Sequence, residues 1–372
     1  MQSKQNKFIG GARKALAAAV CCAIAVPSFA NTLTAGPVVG TTDFAMFGIG
    51  GLRGTGNGTI TVAGVSGTVT RAILVWHGVS NSATALARTG TIGATNFSGT
   101  NIGLSDNNCW GATSSQAFQA DVTSAVTGNG TYALSNMRTA GTFDPNGASL
   151  LVFYSDGNST NNRDIAVFWG NDSNIGNAFD PAGWQASLSG INYTSGAANL
   201  NLVVADGQNF ADGPRTATIN GTPFTTPSFE GDTVPTAPGS AVTNGGLWDH
   251  FASPVTSYLS PGPNTLTFNA TGGDSDCLSL VGAVFDLPAG TVTPPVPVVA
   301  VEIPTLSALG FGGMSLSAAL WGVYALRNRR RLPLAGEKRL CRLGGCELER
   351  CRRFGCCPRL AVAANRLHAQ RH

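Results

Sequence analysis

Short apolar stretches recur along the chain at 59–65, 72–76, 131–134, 150–154, 165–169, 200–205, 265–268 and 278–285. Each is rich in Val, Leu, Ile or aromatic residues and is bounded by Gly, Asn, Ser or Asp. Segments of that length between turn formers are strand signals, and no long 3.6-residue period competes with them. The pattern predicts an all-β fold with sandwich or jelly-roll topology.

The two halves of this pattern echo one another. Val122-Thr123-Ser124 followed by Gly130-Thr131-Tyr132 parallels Val255-Thr256-Ser257 followed by Asn264-Thr265-Leu266. Ala148-Ser149-Leu150-Leu151-Val152 parallels Leu278-Ser279-Leu280-Val281-Gly282. Ala72-Ile73-Leu74-Val75-Trp76 parallels Asn201-Leu202-Val203-Val204-Ala205. A common offset of roughly 130 residues predicts a duplicated β-sandwich or jelly-roll-like unit, with copies at 52–180 and 181–290. The boundary falls in the Gly-, Asn- and Asp-rich stretch 170–181, and residues 31–51 form a segment ahead of both units. Two sandwiches in series and two sheets of one larger sandwich satisfy this pattern equally.

Both ends carry a different signature. Lys4, Lys7, Arg13 and Lys14 precede a short apolar run at 15–26, and Pro27-Ser28-Phe29-Ala30 puts small residues at the −3 and −1 positions of a cleavage site. This is the three-part pattern of a secretory signal peptide over 1–30, cut between Ala30 and Asn31. Near the other end, a Pro-rich linker at 291–302 leads into Ile303-Pro304-Thr305-Leu306. Twenty uncharged residues follow at 307–326, and then Arg327, Arg329, Arg330 and Arg331. That length and basic flank predict one C-terminal transmembrane helix with its basic end in the cytoplasm.

Ile303-Pro304-Thr305-Leu306, Gly310, an apolar helix and an Arg cluster together resemble the IPTL-CTERM sorting signal, a relative of PEP-CTERM, over 303–331. Leu309 stands where that family usually carries Trp. The resemblance implies export through the secretion translocon, a transient C-terminal membrane anchor, and processing by an exosortase-type membrane protease at the cell surface. It also implies an extracellular polysaccharide setting. The body, with its Asp121-Val122-Thr123 turn and its Gly147-Ala148-Ser149-Leu150-Leu151-Val152 strand, resembles an uncharacterised β-sandwich domain of bacterial and archaeal surface proteins over most of 52–287. That family brings no known activity. The remaining 332–372 is basic and holds Cys341, Cys346, Cys351, Cys356 and Cys357. Their x4 spacing is not that of a zinc ribbon, so the tail reads as an unstructured extension.

Charge changes the picture of the body. The formal net charge is +3 over the whole chain, but no Lys occurs between Lys14 and Lys338. From Asn31 to Glu302, 6 Arg stand against 15 Asp and 2 Glu, a net of −11. An acidic body argues against nucleic acid, because phosphate neutralisation requires clustered Lys and Arg.

Catalytic motifs are missing from this body. It contains His77 and His250, no Lys, no H-E-x-x-H, no G-x-S-x-G and no phosphate loop. The expectation is a non-catalytic surface or matrix protein, structural or adhesive. A carbohydrate-binding module and a glycan-active enzyme are the alternatives. No cofactor is required, although Asp156, Asn158 and Asp164 in one loop and Asp274 and Asp276 in another are oxygen donors of the kind Ca²⁺ takes. Ordinary turn capping by Asp and Asn accounts for the same residues. Trp76 and Trp169 end apolar strands and are expected in the core. Trp110, in a polar loop, is the candidate for stacking on a sugar ring. Cys109 and Cys277 are the two cysteines left once signal peptide and tail are set aside, and an oxidising compartment predicts that they join.

Overall fold

The computed structural model describes residues 33–177, 183–210, 215–270 and 276–291. The signal-peptide junction at Ala30 and Asn31, the sorting motif at 303–331, the apolar run 307–326, the Cys-rich tail and Asp274 lie outside them. The described chain is all β, with a single 3₁₀ turn at Thr256–Tyr258. Among the described residues no helix is long and apolar enough to cross a membrane.

The first strands are β1 (Thr34–Ile49), β2 (Gly58–Val62), β3 (Thr68–Ser80), β4 (Arg88–Ile92), β5 (Thr95–Ser105), β6 (Ser114–Asp121), β7 (Gly130–Ser135) and β8 (Phe143–Ser155). There follow β9 (Arg163–Ser173), β10 (Trp184–Tyr193), β11 (Asn199–Ala205), β12 (Arg215–Ile219), β13 (Thr222–Thr226), β14 (Trp248–Pro254), β15 (Gly262–Ala270) and β16 (Ser279–Pro288). Twelve of them form one curled antiparallel sheet in the order β14-β11-β16-β9-β1-β8-β3-β6-β5-β4-β7-β2. The other four form a second sheet in the order β10-β15-β12-β13. The eight apolar stretches of the sequence fall on β2, β3, β7, β8, β9, β11, β15 and β16.

The long sheet is continuous across the expected boundary at 170–181. β9 pairs with β16 on one side and with β1 on the other, and β1 then pairs with β8. The segment 31–51, which the sequence pattern places outside both units, supplies β1 at the middle of that sheet.

Strand alternation explains why the central runs are apolar at every position. In β3, Ala72, Leu74 and Trp76 enter one core, while Ile73 and Val75 enter another. In β8, Leu150 and Val152 face the first core and Leu151 and Phe153 the second. β9 and β11 repeat this with the second core and a third: Val167 and Val203 face one side, Phe168 and Leu202 the other. Successive side chains point to opposite faces of a strand, so a sheet buried on both faces reads as an unbroken hydrophobic run. Trp76 stacks on Phe118, with centroids 5.4 Å apart, and meets Phe97 edge-on. Trp169 is partly buried against the shared middle core.

One turn recurs in both halves with the same hydrogen bonds. Ala72 N–H donates to Thr123 Oγ1 at 2.9 Å, and Val122 N–H donates to the Ala72 carbonyl. Ala198 N–H likewise donates to Thr256 Oγ1 at 2.9 Å, and Val255 N–H to the Ala198 carbonyl. The strand pairs β3–β8 and β11–β16 are both antiparallel.

Candidate functional site

Between β5 and β6 the chain makes a strained loop. Asn108, Cys109 and Gly111 have φ of 51°, 65° and 69°. Left-handed backbone is costly for a residue with a Cβ other than Asn or Asp, so Cys109 must be held there by its surroundings. Two attachments do so. The buried Asn108 donates Nδ2–H to Ser279 Oγ at 2.9 Å. Cys109 is bonded to Cys277, with Cα atoms 6.0 Å apart.

The loop fixes Trp110 in one orientation. Its Nε1–H points at both oxygens of Asp206, at 2.8 and 2.7 Å. The Arg53 guanidinium lies over its ring, 4.2 Å from the centroid. Arg53 also stands 3.6 Å from Asp206 and donates to Asn146 Oδ1, while Asn146 Nδ2–H donates to Asp206 Oδ1 at 3.0 Å. Burial pushes the Asp206 carboxyl up to about 7, against the opposing pull of Arg53 and Trp110, and Asp276 adds to the rise. Despite these contacts Trp110 keeps 36% of its surface exposed.

Beside Trp110 opens a cleft of about 300 Å³, lined among others by Ser80, Asn81, Thr142, Arg138 and Asp144. Both walls are fixed. Arg88 donates from Nη2 to the Met137 carbonyl and to Thr139 Oγ1, at 3.2 and 2.7 Å. Asn81 Nδ2–H donates to the Gly141 carbonyl, and Thr113 N–H to the Ser80 carbonyl. Arg138 Nε lies 3.2 Å from Asp144 Oδ1, which also accepts the Gly54 N–H.

The two body histidines serve as packing groups. Asn146 Nδ2 lies 3.3 Å from His77 Nδ1. Burial, and after it the Arg53 charge, push His77 down to about 3. Trp248 donates Nε1–H to Ser149 Oγ at 3.0 Å, and Ser149 Oγ also shares a hydrogen bond with His250 Nε2 at 2.6 Å. Burial pushes His250 down to about 4. Ser149 is fully buried, so its proximity to an imidazole does not present it to a substrate.

The candidate Ca²⁺ ligands are spread over several places. Asp156 and Asn158 lie in an exposed turn, where Asp156 accepts Asn158 N–H and Asn161 Nδ2–H, and Asn158 accepts Thr160 N–H. The Asn158 and Asn161 bonds hold the Asp156 carboxyl below its ordinary value. Asp164 is buried and accepts Thr41 N–H. Asp276, in the other half, accepts Gln208 N–H at 2.8 Å beside the Asp206 network. Among the described residues no group of three His, Cys, Asp or Glu converges as a metal cage.

Sequence reasoning singled out Trp110, Cys109, Cys277 and Asp276, and the structure brings them together. It missed Arg53, Asp206, Arg138, Asp144 and Asn146. One signal was available: a body with 6 Arg has few to spare, and two of them, Arg53 and Arg88, are buried.

No protein-family model matches the chain, and no curated protein matches it. Among solved structures the chain is similar to a peptide-N(4)-(N-acetyl-beta-D-glucosaminyl) asparagine amidase at 11% identity, over 68% of this chain and 98% of that one, with a TM-score of 0.24. A likeness that loose carries neither a shared fold nor an activity over to this chain.

Proposed function

We propose that this chain is a non-catalytic protein of the cell surface or extracellular matrix, structural or adhesive in role. It is exported by the translocon and processed by an exosortase-type protease at 303–331. The observation that carries the reading is the Cys109–Cys277 disulfide, which joins the two cysteines of the acidic body. Disulfides form and persist in oxidising compartments and are rare in the cytosol. The strained loop that the bond holds belongs to a protein made for that environment.

The finer architecture under this proposal is a duplicated β-unit. The recurring Ala–Val–Thr turn and the matched β3–β8 and β11–β16 pairs support it. The copies would share a sheet through β1 and β9, which suits a rigid structural body.

The test is intact-mass analysis of protein extracted from the cell surface. The expected species begins at Asn31, ends near Ile303 and is lighter by two hydrogens than its reduced form. A surface species that still carries Arg327 and the Cys-rich tail would overturn processing, and a body recovered with two free thiols would overturn export into an oxidising compartment.

A further inference from the structure

Trp110 is placed in a way that core packing does not explain. Its loop adopts left-handed backbone at Asn108 and Cys109, a disulfide holds it, and two polar groups, the Asp206 carboxylate and the Arg53 guanidinium, fix the indole. Strain of this kind persists only where the surroundings over-determine it, and it collects at binding sites. Over a third of the residue's surface nevertheless stays open, at the mouth of a cleft whose walls are tied by Arg88 and Asn81. A fixed aromatic surface loses little freedom when a ligand settles on it.

The chemistry of the cleft selects the ligand class. Trp110 supplies an apolar plate. Facing it are Arg138, at 36% side-chain exposure, and Asp144, at 26%. Among the described residues Arg138 is engaged only through Nε, by its ion pair with Asp144 Oδ1, and neither Asp144 Oδ2 nor Asn81 Oδ1 accepts a hydrogen bond. An apolar plate beside solvent-accessible donors and acceptors matches a pyranose ring, which presents C–H groups on one face and hydroxyls around its rim. A ligand with one charge does not match, because Arg138 and Asp144 already neutralise each other. The acidic body repels polyanions in addition. A volume of about 300 Å³ lies at the small end of ligand pockets, which suits one or two sugar residues rather than a buried oligosaccharide.

We propose that the cleft beside Trp110 binds an uncharged hexopyranose unit of a polysaccharide, stacked on the indole and hydrogen-bonded by Arg138, Asp144 and Asn81. This deepens the adhesive reading of the protein and rests on it.

The experiment is calorimetric titration of the full, oxidised chain with cellobiose, mannobiose, galactobiose, N,N′-diacetylchitobiose and digalacturonate. Saturable binding of at least one neutral disaccharide is expected at about 1 mM or below. Trp110→Ala should weaken it by about tenfold or more, as loss of a buried aromatic contact does. Trp110→Phe, which keeps a plate but drops the Asp206 bond, should stay within about threefold of the native chain. Arg138→Gln, which leaves the Trp110, Arg53 and Asp206 side chains in place, should weaken binding by about threefold to tenfold. Three results would each overturn the proposal: no binding of any probe at about 10 mM, tighter binding of digalacturonate than of every neutral sugar, or native affinity in Trp110→Ala and Arg138→Gln. None of these touches the intact-mass result, so the site and the export reading fail separately.

Discussion

Trp110 gives its one N–H to both oxygens of Asp206, at 2.8 and 2.7 Å, while Arg53 covers the indole face and stands 3.6 Å from the same carboxylate. Cation, anion and indole thus close a ring of contacts drawn from three distant parts of the chain. Each member desolvates the next, so the charge of Asp206 is stabilised by Arg53 and penalised by burial at once.

That balance predicts a pH dependence. Asp206 titrates at about 7 in the folded chain against an ordinary 3.8. Between those values the folded carboxyl holds a proton that the unfolded one has lost, so this contribution to stability falls as pH rises through the window. Native chain and Asp206→Asn compared by urea melts at pH 5 and pH 8 should diverge, the native chain losing on the order of 2 kcal/mol relative to the variant. A flat difference, or one of opposite slope, would show a carboxylate ionised throughout and would sink the argument.

The histidines work in the other direction. Burial holds His77 at about 3 and His250 at about 4, both below the ordinary 6.5. As pH falls below 6.5 the unfolded chain takes up protons that the folded chain refuses, so stability is lost toward pH 4; above 6.5 neither group contributes. Their imidazole NMR signals, assigned through His77→Phe and His250→Phe, should therefore hold still from pH 7.5 down to about 5. Midpoints near 6.5 would mean that both rings are solvated and that the Ser149–His250 bond is not maintained.

Core packing offers a steric test. A Cβ on Gly99 would lie 2.2 Å from Trp76 Cη2 and 2.6 Å from Cζ2, with Trp76 held between Phe97 and Phe118. Gly99→Ala should cost about 1–3 kcal/mol, the usual range for overpacking. Phe at position 76 lacks the atoms that collide, so Trp76→Phe combined with Gly99→Ala should be more stable than the two single losses added together. Gly99 is not in left-handed backbone, so its loss reads the clash without backbone strain. Additive losses in the double variant would mean that the indole is free to move away.

What the sequence made legible follows from locality. The strand β3 is visible because Ala72 to Trp76 are apolar neighbours, and Trp110 stands out because its own loop is polar. Which core each residue of β3 enters is not visible, since both faces are buried and the alternation vanishes. β1 was hidden for a different reason: Gly36, Pro37, Gly40 and Thr41 interrupt it, and its register shifts twice against β9. Arg53 and Asp206 each sit between a hydrophobic residue and a Gly, which reads as an ordinary turn. Their role arises only when the fold brings the loop after β1 and the end of β11 within 3.6 Å of each other at these two side chains, and no local pattern encodes that.

The disulfide supplies the last prediction. Cys109 and Cys277 are 168 residues apart in sequence, and the bond ties the Trp110 loop to the start of β16. In the chain-entropy account a closed loop of that length is worth up to about 5 kcal/mol, an upper figure because measured values follow loop length only loosely. Local strain adds a second effect. Without the bond, Cys109 has less reason to remain left-handed, and its relaxation would draw Trp110 away from Asp206. Cys109→Ser, Cys277→Ser and the double variant should therefore lose about the same stability, roughly 2–5 kcal/mol. All three should also show a red-shifted indole emission that the native chain acquires only on reduction. The double variant isolates the bond from the chemistry of a leftover thiol. If it melts with the native chain and keeps the native emission, the loop is held by Asn108 and Asp206 alone, and the cross-link contributes nothing to the shape of the site.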